Sequence, residues 1–443
     1  MKVAVLGGGE SGVGAAILAK QKLFDVWLSD KGQIRAKYKN VLSNFGIGYE
    51  EGRHTEAKLL DADVIIKSPG IPDHLQLIKG LKDEGKEIIS EIEWGYRFSK
   101  AEMVAITGSN GKTTTTNLIY DVFSKSGRDT GLAGNIGFSL AKQVAEKDRS
   151  NYVIEVSSFQ LDGIKQFKPR VAVLLNITPD HLDRYDYDIH AYATSKMRIC
   201  MNQDEEDFFI YNADDPIIND LIKQKEIKAK MIPISIKKEV DEGAFLNGEL
   251  LNIKLNNNSL IMSIYELALK GKHNVYNSMA AAVASRVLEI KNETVRESLV
   301  SFKGIEHRLE HVARVDGIDF INDSKATNIN SVWYALDSVE GNIVWIVGGV
   351  DKGNDYSELM ELVENKVKAI VCLGKDNAKI VDAFKDKVVN IHESDSAEEA
   401  VRLAKLVGNA GDTVLLSPAC ASFDLFENYE DRGHQFKAAV RSL

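Results

Sequence analysis

Residues 105–117 read AITGSNGKTTTTN. An apolar, β-branched run, EMVAITG, leads into this stretch, and TTTTNLIYDVFSKSG leaves it with apolar residues at helical spacing. Strand, glycine turn and helix together point backbone N–H groups and the positive end of a helix dipole at an anion. The usual phosphate loop has the spacing G-x-x-x-x-G-K-[ST]. Here Ile106 stands where the first glycine falls, Gly108 follows two residues later, and Gly111, Lys112 and Thr113 complete the pattern. The loop is shorter at its first bend, and Gly108 and Gly111 can still take positive φ. Gly108, Ser109, Asn110, Gly111, Lys112, Thr113 and Thr114 therefore read as a cradle for a nucleotide triphosphate. Lys112 is placed on the β- and γ-phosphates, and the Thr113 hydroxyl on Mg²⁺. The competing reading is a glycine turn with no ligand.

Outward from that loop the same rhythm repeats. KVAVLGGG, DVWLSD, DADVIIKSPG and KEIIS precede it; NYVIEVSS, RVAVLLNIT and DFFIYNADD follow. IDFINDSKATN, NIVWIVGGVDKG, VKAIVCLGKD and DTVLLSPACAS close the chain. Short buried strands alternating with helical patterns predict α/β architecture with right-handed βαβ crossovers. Residues 244–264 break the rhythm with N-G and N-N-N turns, which predict a small antiparallel meander. Boundaries are expected near residues 95 and 303, giving three domains over 1–95, 96–303 and 304–443. A length of 443 residues suits about three domains of ordinary size.

Composition excludes several classes. The formal charge of −10 disfavours a nucleic-acid partner. Cys200, Cys372 and Cys420 are scattered, with neither disulfide framework nor zinc spacing. The opening MKVAVLGGG carries no charged-then-apolar leader, and no apolar run reaches the roughly 18 residues of a membrane span. A cytoplasmic enzyme without a membrane partner is expected.

Further motifs sit at the ends of predicted strands, the edge where open α/β sheets bind ligands. Gly7, Gly9 and Gly12 fit G-x-G-x-x-G, with Asp30 ending the next strand. That pattern suits a dinucleotide, another diphosphate, or a plain tight turn, and Asp30 could accept a hydrogen bond from a ribose or base. A nicotinamide-dependent oxidoreductase follows from the first option but leaves GSNGKTTTT unexplained; a non-enzymatic nucleotide switch is the other rival. Glu155 ends a strand, where an unpaired carboxylate is costly, so it reads as a Mg²⁺ ligand or as a solvated strand end. NITPDHLDRY packs Asp180, His181, Asp183 and Arg184 into one loop. His181 alone suits a metal, a substrate, or neither. Lys196, taken alone, reads as an ordinary solvated lysine. Arg308, Lys325 and Lys352, with Ser422, suggest an anionic substrate pocket in the last third.

Taken together, TGSNGKTT, GNIG, EVSSFQL, NITPDHLDRY, HNVYN, HRLE, NDSKATN and LSPACASFDLF resemble the Mur ligases over nearly the whole chain. The short G-x-x-G-K-T loop is that family's own form. SSFQL, NDSKATN and SPACASFD most resemble the member that adds D-glutamate to UDP-N-acetylmuramoyl-L-alanine in peptidoglycan precursor synthesis. The resemblance implies a Rossmann-like first domain for the UDP moiety, a P-loop central domain for ATP, and a Rossmann-like third domain for the incoming amino acid. It implies an ATP-dependent ligase, acting as a monomer through an acyl phosphate, with Mg²⁺ as two ions. By position it places Asn277, Arg308 and Asp323 on ATP, and Ser11, Gly12, Asp30 and Gly70 on the uridine diphosphate. It places Asn135, Gln160 and His181 near the muramoyl group. Lys325, Thr327, Lys352, Ser422, Phe423 and Tyr429 fall on D-glutamate. Thr113, Glu155, His181 and Lys196 fall on the metals, with Lys196 carried as a carbamate. Lys112, His181 and Lys196 are the expected catalytic set. Glu10 departs from the pattern, being a negative charge in a turn meant for a diphosphate.

Overall fold

A computed structural model describes every residue except 137, 181, 256 and 257. Residues Met1–Leu267 and Asn274–Phe302 form one compact unit; Ala268–His273 and Lys303–Leu443 form a second. The first unit holds two sheets and the second unit one.

The first sheet has five strands in spatial order 3-2-1-4-5, counted along the chain, all parallel. Its first strand, Lys2–Leu6, reads KVAVL, with Val3 to Leu6 buried between helices on both faces. Buried apolar runs of this kind are what a parallel sheet covered on both sides selects. The order reverses beside that strand, so the switch point lies between Lys2–Leu6 and Val64–Lys67.

The second sheet has nine strands in order 9-8-7-6-5-4-1-3-2. Its first strand, Glu102–Thr107, is central and feeds the glycine loop into the helix Lys112–Lys125. The antiparallel meander forms from Gly243–Asn247, Leu250–Leu255 and Asn258–Ser263. It is no separate feature, because Gly243–Asn247 pairs in parallel with Lys230–Ser235 and extends the same sheet. Residues 256 and 257 of the N-N-N turn lie outside the described residues. Residue 95 falls inside the helix Glu91–Phe98, whose Ser90 cap and Glu93 bind it to the second sheet's connections.

The six-stranded sheet of the second unit runs 1-2-6-3-4-5. Its first strand, Glu310–Val315, is antiparallel to Ile318–Asn322, and the remaining pairs are parallel. This edge strand was not among the predicted strands: all six of its residues are exposed or part-exposed, so no apolar run marks it.

Candidate active site

The glycine loop is held rigidly by groups far away in the chain. Gly108 and Gly111 adopt φ of 150° and 85°. A Cβ on Gly111 would stand 2.3 Å from Asn277 Oδ1, so only glycine fits at that helix entry. Asn176 clamps the bend between them. Its Oδ1 accepts from Asn110 N at 2.9 Å and its Nδ2 donates to Asn110 O at 3.0 Å. Ser109 Oγ donates to Thr178 O, accepts from Thr178 N, both at 2.9 Å, and lies 3.2 Å from Tyr192 OH. Asn277 Oδ1 accepts from Thr115 Oγ1 at 3.2 Å, which fixes the helix Lys272–Val287 against the loop's helix.

Two lysines converge on one carbonyl. Lys112 Nζ folds back to donate to Gly108 O and Ser109 O at 2.8 and 2.7 Å. Lys196 Nζ donates to Gly108 O at 2.8 Å from the helix Ile189–Met197. Lys196 is 2% exposed, so the solvated reading is wrong: the helix turns it inward against Tyr192 and the loop. Burial, and next the charge of Lys112, hold its ammonium well below the usual lysine range; Asp180, Glu155 and Asp162 oppose this.

Glu155 is 2% exposed, which excludes the solvated strand end. Its Oε1 accepts from Asn135 Nδ2 at 2.9 Å, and its Oε2 has no hydrogen-bond partner among the described residues. A buried carboxylate oxygen with no partner among the described residues, within electrostatic reach of Lys196, fits a ligand of a hard divalent cation. Thr114 is buried in the same helical turn. Gln160 spends its carbonyl on Ser157 N and Oγ in a capping box. His181 lies outside the described residues.

At the first sheet, Gly7 takes φ of 103°, and a Cβ on Gly12 would stand 1.9 Å from Gly7 O. The glycine at position 12 thus serves helix–strand closeness. Asp30 accepts from Gly8 N at 2.6 Å and Gly32 N at 2.7 Å, so its carboxylate shapes the turn from within. Ser11 sits part-exposed in the first turn of the helix Glu10–Gln21, and Gly70 is exposed. Glu10 is compensated by Lys142 Nζ, 3.6 Å away, a partner the sequence pattern does not reveal.

The second unit gathers its own ligand edge. Asp323 is buried; its Oδ2 accepts from Ser417 Oγ at 2.9 Å and its Oδ1 from Leu309 N at 3.2 Å. Burial pushes its carboxyl up to about 7 against the pull of Arg308. Arg308 keeps a buried Nε with no hydrogen-bond partner among the described residues. Lys325 Nζ lies 5.3 Å from the centre of the Tyr429 ring, with Thr327 part-exposed two residues on. Ser422 is buried, whereas Lys352 and Phe423 are exposed.

Arg432 organises this edge and was missed from sequence. Its guanidinium is fully buried and donates to Ser324 Oγ and O, Gly348 O and Cys420 O at 2.9–3.3 Å. Those acceptors lie in the three loops that carry Lys325, Lys352 and Ser422. Val350 and Ala421 exchange backbone hydrogen bonds at 2.8 and 3.1 Å and close two of the loops on each other.

Comparison with known proteins identifies the family of the chain. Residues 2–77 match the MurD N-terminal domain, 106–285 the Mur ligase middle domain, and 307–420 the Mur ligase glutamate ligase domain. A UDP-N-acetylmuramoylalanine--D-glutamate ligase of Christiangramia forsetii is 54% identical, with 100% of this chain and 99% of that one covered. The chain belongs to the Mur ligase family. Among Mur ligase structures, UDP-N-acetylmuramate-alanine ligase MurC of Thermotoga maritima superposes with a TM-score of 0.64 at 19% identity, covering 100% of this chain and 99% of that one. MurF ligase of Thermotoga maritima, solved in complex with ADP, gives 0.60 at 18% identity, covering 87% and 91%. Both share the fold. The glycine turn at residues 7–12 thus belongs to a Mur ligase first domain, not to a nicotinamide oxidoreductase. Among the described residues of this Mur ligase, no helix is long and apolar enough to cross a membrane.

Proposed function

We propose that this chain is the ATP-dependent ligase that joins the amine of D-glutamate to the alanyl carboxylate of UDP-N-acetylmuramoyl-L-alanine, in peptidoglycan precursor synthesis in the cytoplasm, as a monomer. The observation that carries the reading is the paired approach of Lys112 and Lys196 to Gly108 O beside the unpartnered Glu155 Oε2. The full-length match to a relative of that name supports the substrates.

A carboxylate is a poor electrophile, so the acid is first activated. An oxygen of the alanyl carboxylate takes the γ-phosphoryl group, ADP leaves, and the product is an acyl phosphate. The amine nitrogen then adds to the acyl carbon, inorganic phosphate departs, and a proton is lost from nitrogen. Lys112 neutralises charge on the transferring phosphoryl oxygens, and the fixed loop N–H groups cradle the triphosphate. Thr113, Glu155, His181 and Lys196 would hold two Mg²⁺ ions. Mg²⁺ when bound neutralises phosphate charge that cations of the chain alone would not. Lys196, whose charged form burial disfavours, is suited to add carbon dioxide, lose a proton and become an anionic carbamate. That change replaces a repelling ammonium by a metal-binding oxygen pair.

In the same reading, residues 1–95 carry the uridine diphosphate through Ser11, Gly12, Asp30 and Gly70. Residues 96–303 carry ATP, with Asn277, and the muramoyl contacts Asn135 and Gln160. Residues 304–443 carry D-glutamate on Lys325, Thr327, Lys352, Ser422, Phe423 and Tyr429, with Arg308 and Asp323 toward ATP. The test is ADP release and amide formation with UDP-N-acetylmuramoyl-L-alanine and ATP across D-glutamate, L-glutamate, glycine and a diamino acid. Product with D-glutamate far above the others is expected. Equal rates with all four, or ADP without amide, would refute the assignment.

A further inference from the structure

Lys67 is the last residue of the strand Val64–Lys67, the strand that flanks the switch point of the first sheet, in register with Leu6. The three residues before it are apolar, and Lys67 itself is only 7% exposed. Burying an ammonium is costly unless its hydrogen bonds are well used. Its Nζ donates to Ile71 O at 2.7 Å and stands 3.5 Å from Asp73 Oδ1, which Lys82 shares at 3.4 Å. A second cation reaches the same loop from a distant segment. Arg184 stacks over the Phe159 ring at 4.3 Å and donates to Pro69 O at 3.3 Å.

Between these two grips lies a tight turn, Ile71 N donating to Ser68 O at 3.1 Å. Gly70 occupies its third position without a positive φ, so the turn itself does not require glycine there. A Cβ on Gly70 would meet no atom within 4 Å, so packing does not require glycine either. A bare backbone in that position serves close approach by something from outside. Because a trans peptide sets C=O and N–H on opposite sides, a Pro69 carbonyl turned to Arg184 sends the Gly70 N–H the other way.

We propose that Lys67, with Arg184, is a positioning residue for the sugar-nucleotide substrate: the two cations hold the Pro69 and Ile71 carbonyls so that the Gly70 backbone is presented to the substrate's uridine diphosphate end. This rests on the proposed role of the first sheet in binding that substrate. Lys67 acts through the loop and does not take part in phosphoryl transfer.

The test compares the full-length enzyme with Lys67→Met and Lys67→Arg. Initial rates are measured with each substrate varied in turn, and UDP affinity by calorimetry, which needs no turnover. Lys67→Met should raise the KM for UDP-N-acetylmuramoyl-L-alanine and the Kd for UDP about tenfold, the factor expected for one well-made charged hydrogen bond. The KM values for ATP and D-glutamate should stay within about twofold, and Lys67→Arg should recover most of the loss. If Lys67→Met does not fold, Arg184→Met should give the same selective rise. Unchanged UDP affinity, or an equal rise in all three KM values, would overturn the role of Lys67 while leaving the ligase assignment standing. A wild-type enzyme that neither binds UDP nor forms the amide would overturn both.

Discussion

Lys112 and Lys196 in the first unit lie folded onto a backbone carbonyl, and Lys196 is buried. Lys352 in the second unit is exposed, and Lys325 is part-exposed against Tyr429. The second unit buries a different cation, Arg432, beneath the loops that carry its lysines. In the proposed reading, the first unit fixes the charges that meet the reacting phosphoryl group and accepts the cost of burying one of them. The second unit fixes its loops and leaves the two lysines proposed for the incoming amino acid nearer solvent. Pre-organised charge suits phosphoryl transfer, where positioning and electrostatics supply most of the rate; more accessible lysines suit a small, exchangeable dicarboxylate.

The largest effects should therefore fall on the first unit. Lys112→Ala should lower kcat by about 10²–10³-fold, with acyl-phosphate formation lost, as removal of a pre-organised transition-state donor does. Lys196→Ala should be impaired comparably and partly rescued by added short carboxylates. Near-normal turnover of either variant would break the contrast between the units. Next comes Arg432→Met, which strands buried carbonyl groups at about 1–3 kcal/mol each. It should lower the melting temperature and raise the KM for D-glutamate while leaving the KM for ATP near wild type. Lys352→Ala should raise the KM for D-glutamate about tenfold with little change in stability. A fall in kcat with no change in that KM would move Lys352 out of the amino-acid pocket.

A smaller effect tests burial itself. Glu91 is buried between the helices Glu91–Phe98 and Leu140–Lys147, accepting from Ser139 Oγ and Ala141 N, both at 2.6 Å. Burial pushes its carboxyl up to about 7. A carboxyl raised in the folded state stabilises fully below the ordinary carboxylate range and loses that contribution as pH rises through about 7. Melting curves should show wild type falling relative to Glu91→Gln between about pH 4.5 and 7, by up to roughly 3 kcal/mol, and running parallel above. Curves parallel over the whole range would show that Glu91 titrates normally.

Much of the fold was legible because buried parallel strands are short, β-branched and closed by turn residues. The phosphate loop was legible because strand, glycines, lysine and helix are adjacent in sequence. Burial of single charged residues was not. Lys196 read alone as a solvated lysine, Glu155 as a Mg²⁺ ligand or a solvated strand end, and Lys67 and Arg432 were not singled out. Their surroundings are assembled from distant segments: Gly108 for Lys196, Asn135 for Glu155, Arg184 for Lys67, three separate loops for Arg432. Asn176 lay inside a recognised motif, yet its clamp on Asn110 depends on two strands pairing side by side. Glu10 looked discordant only because Lys142 is remote in sequence.

Oxygen transfer tests the central claim most directly. With oxygen-18 in the alanyl carboxylate of UDP-N-acetylmuramoyl-L-alanine, ATP and D-glutamate unlabelled, the inorganic phosphate released on turnover should carry a labelled oxygen. Unlabelled phosphate accompanying a full yield of amide would contradict activation of the acid at the loop held by Lys112 and Lys196.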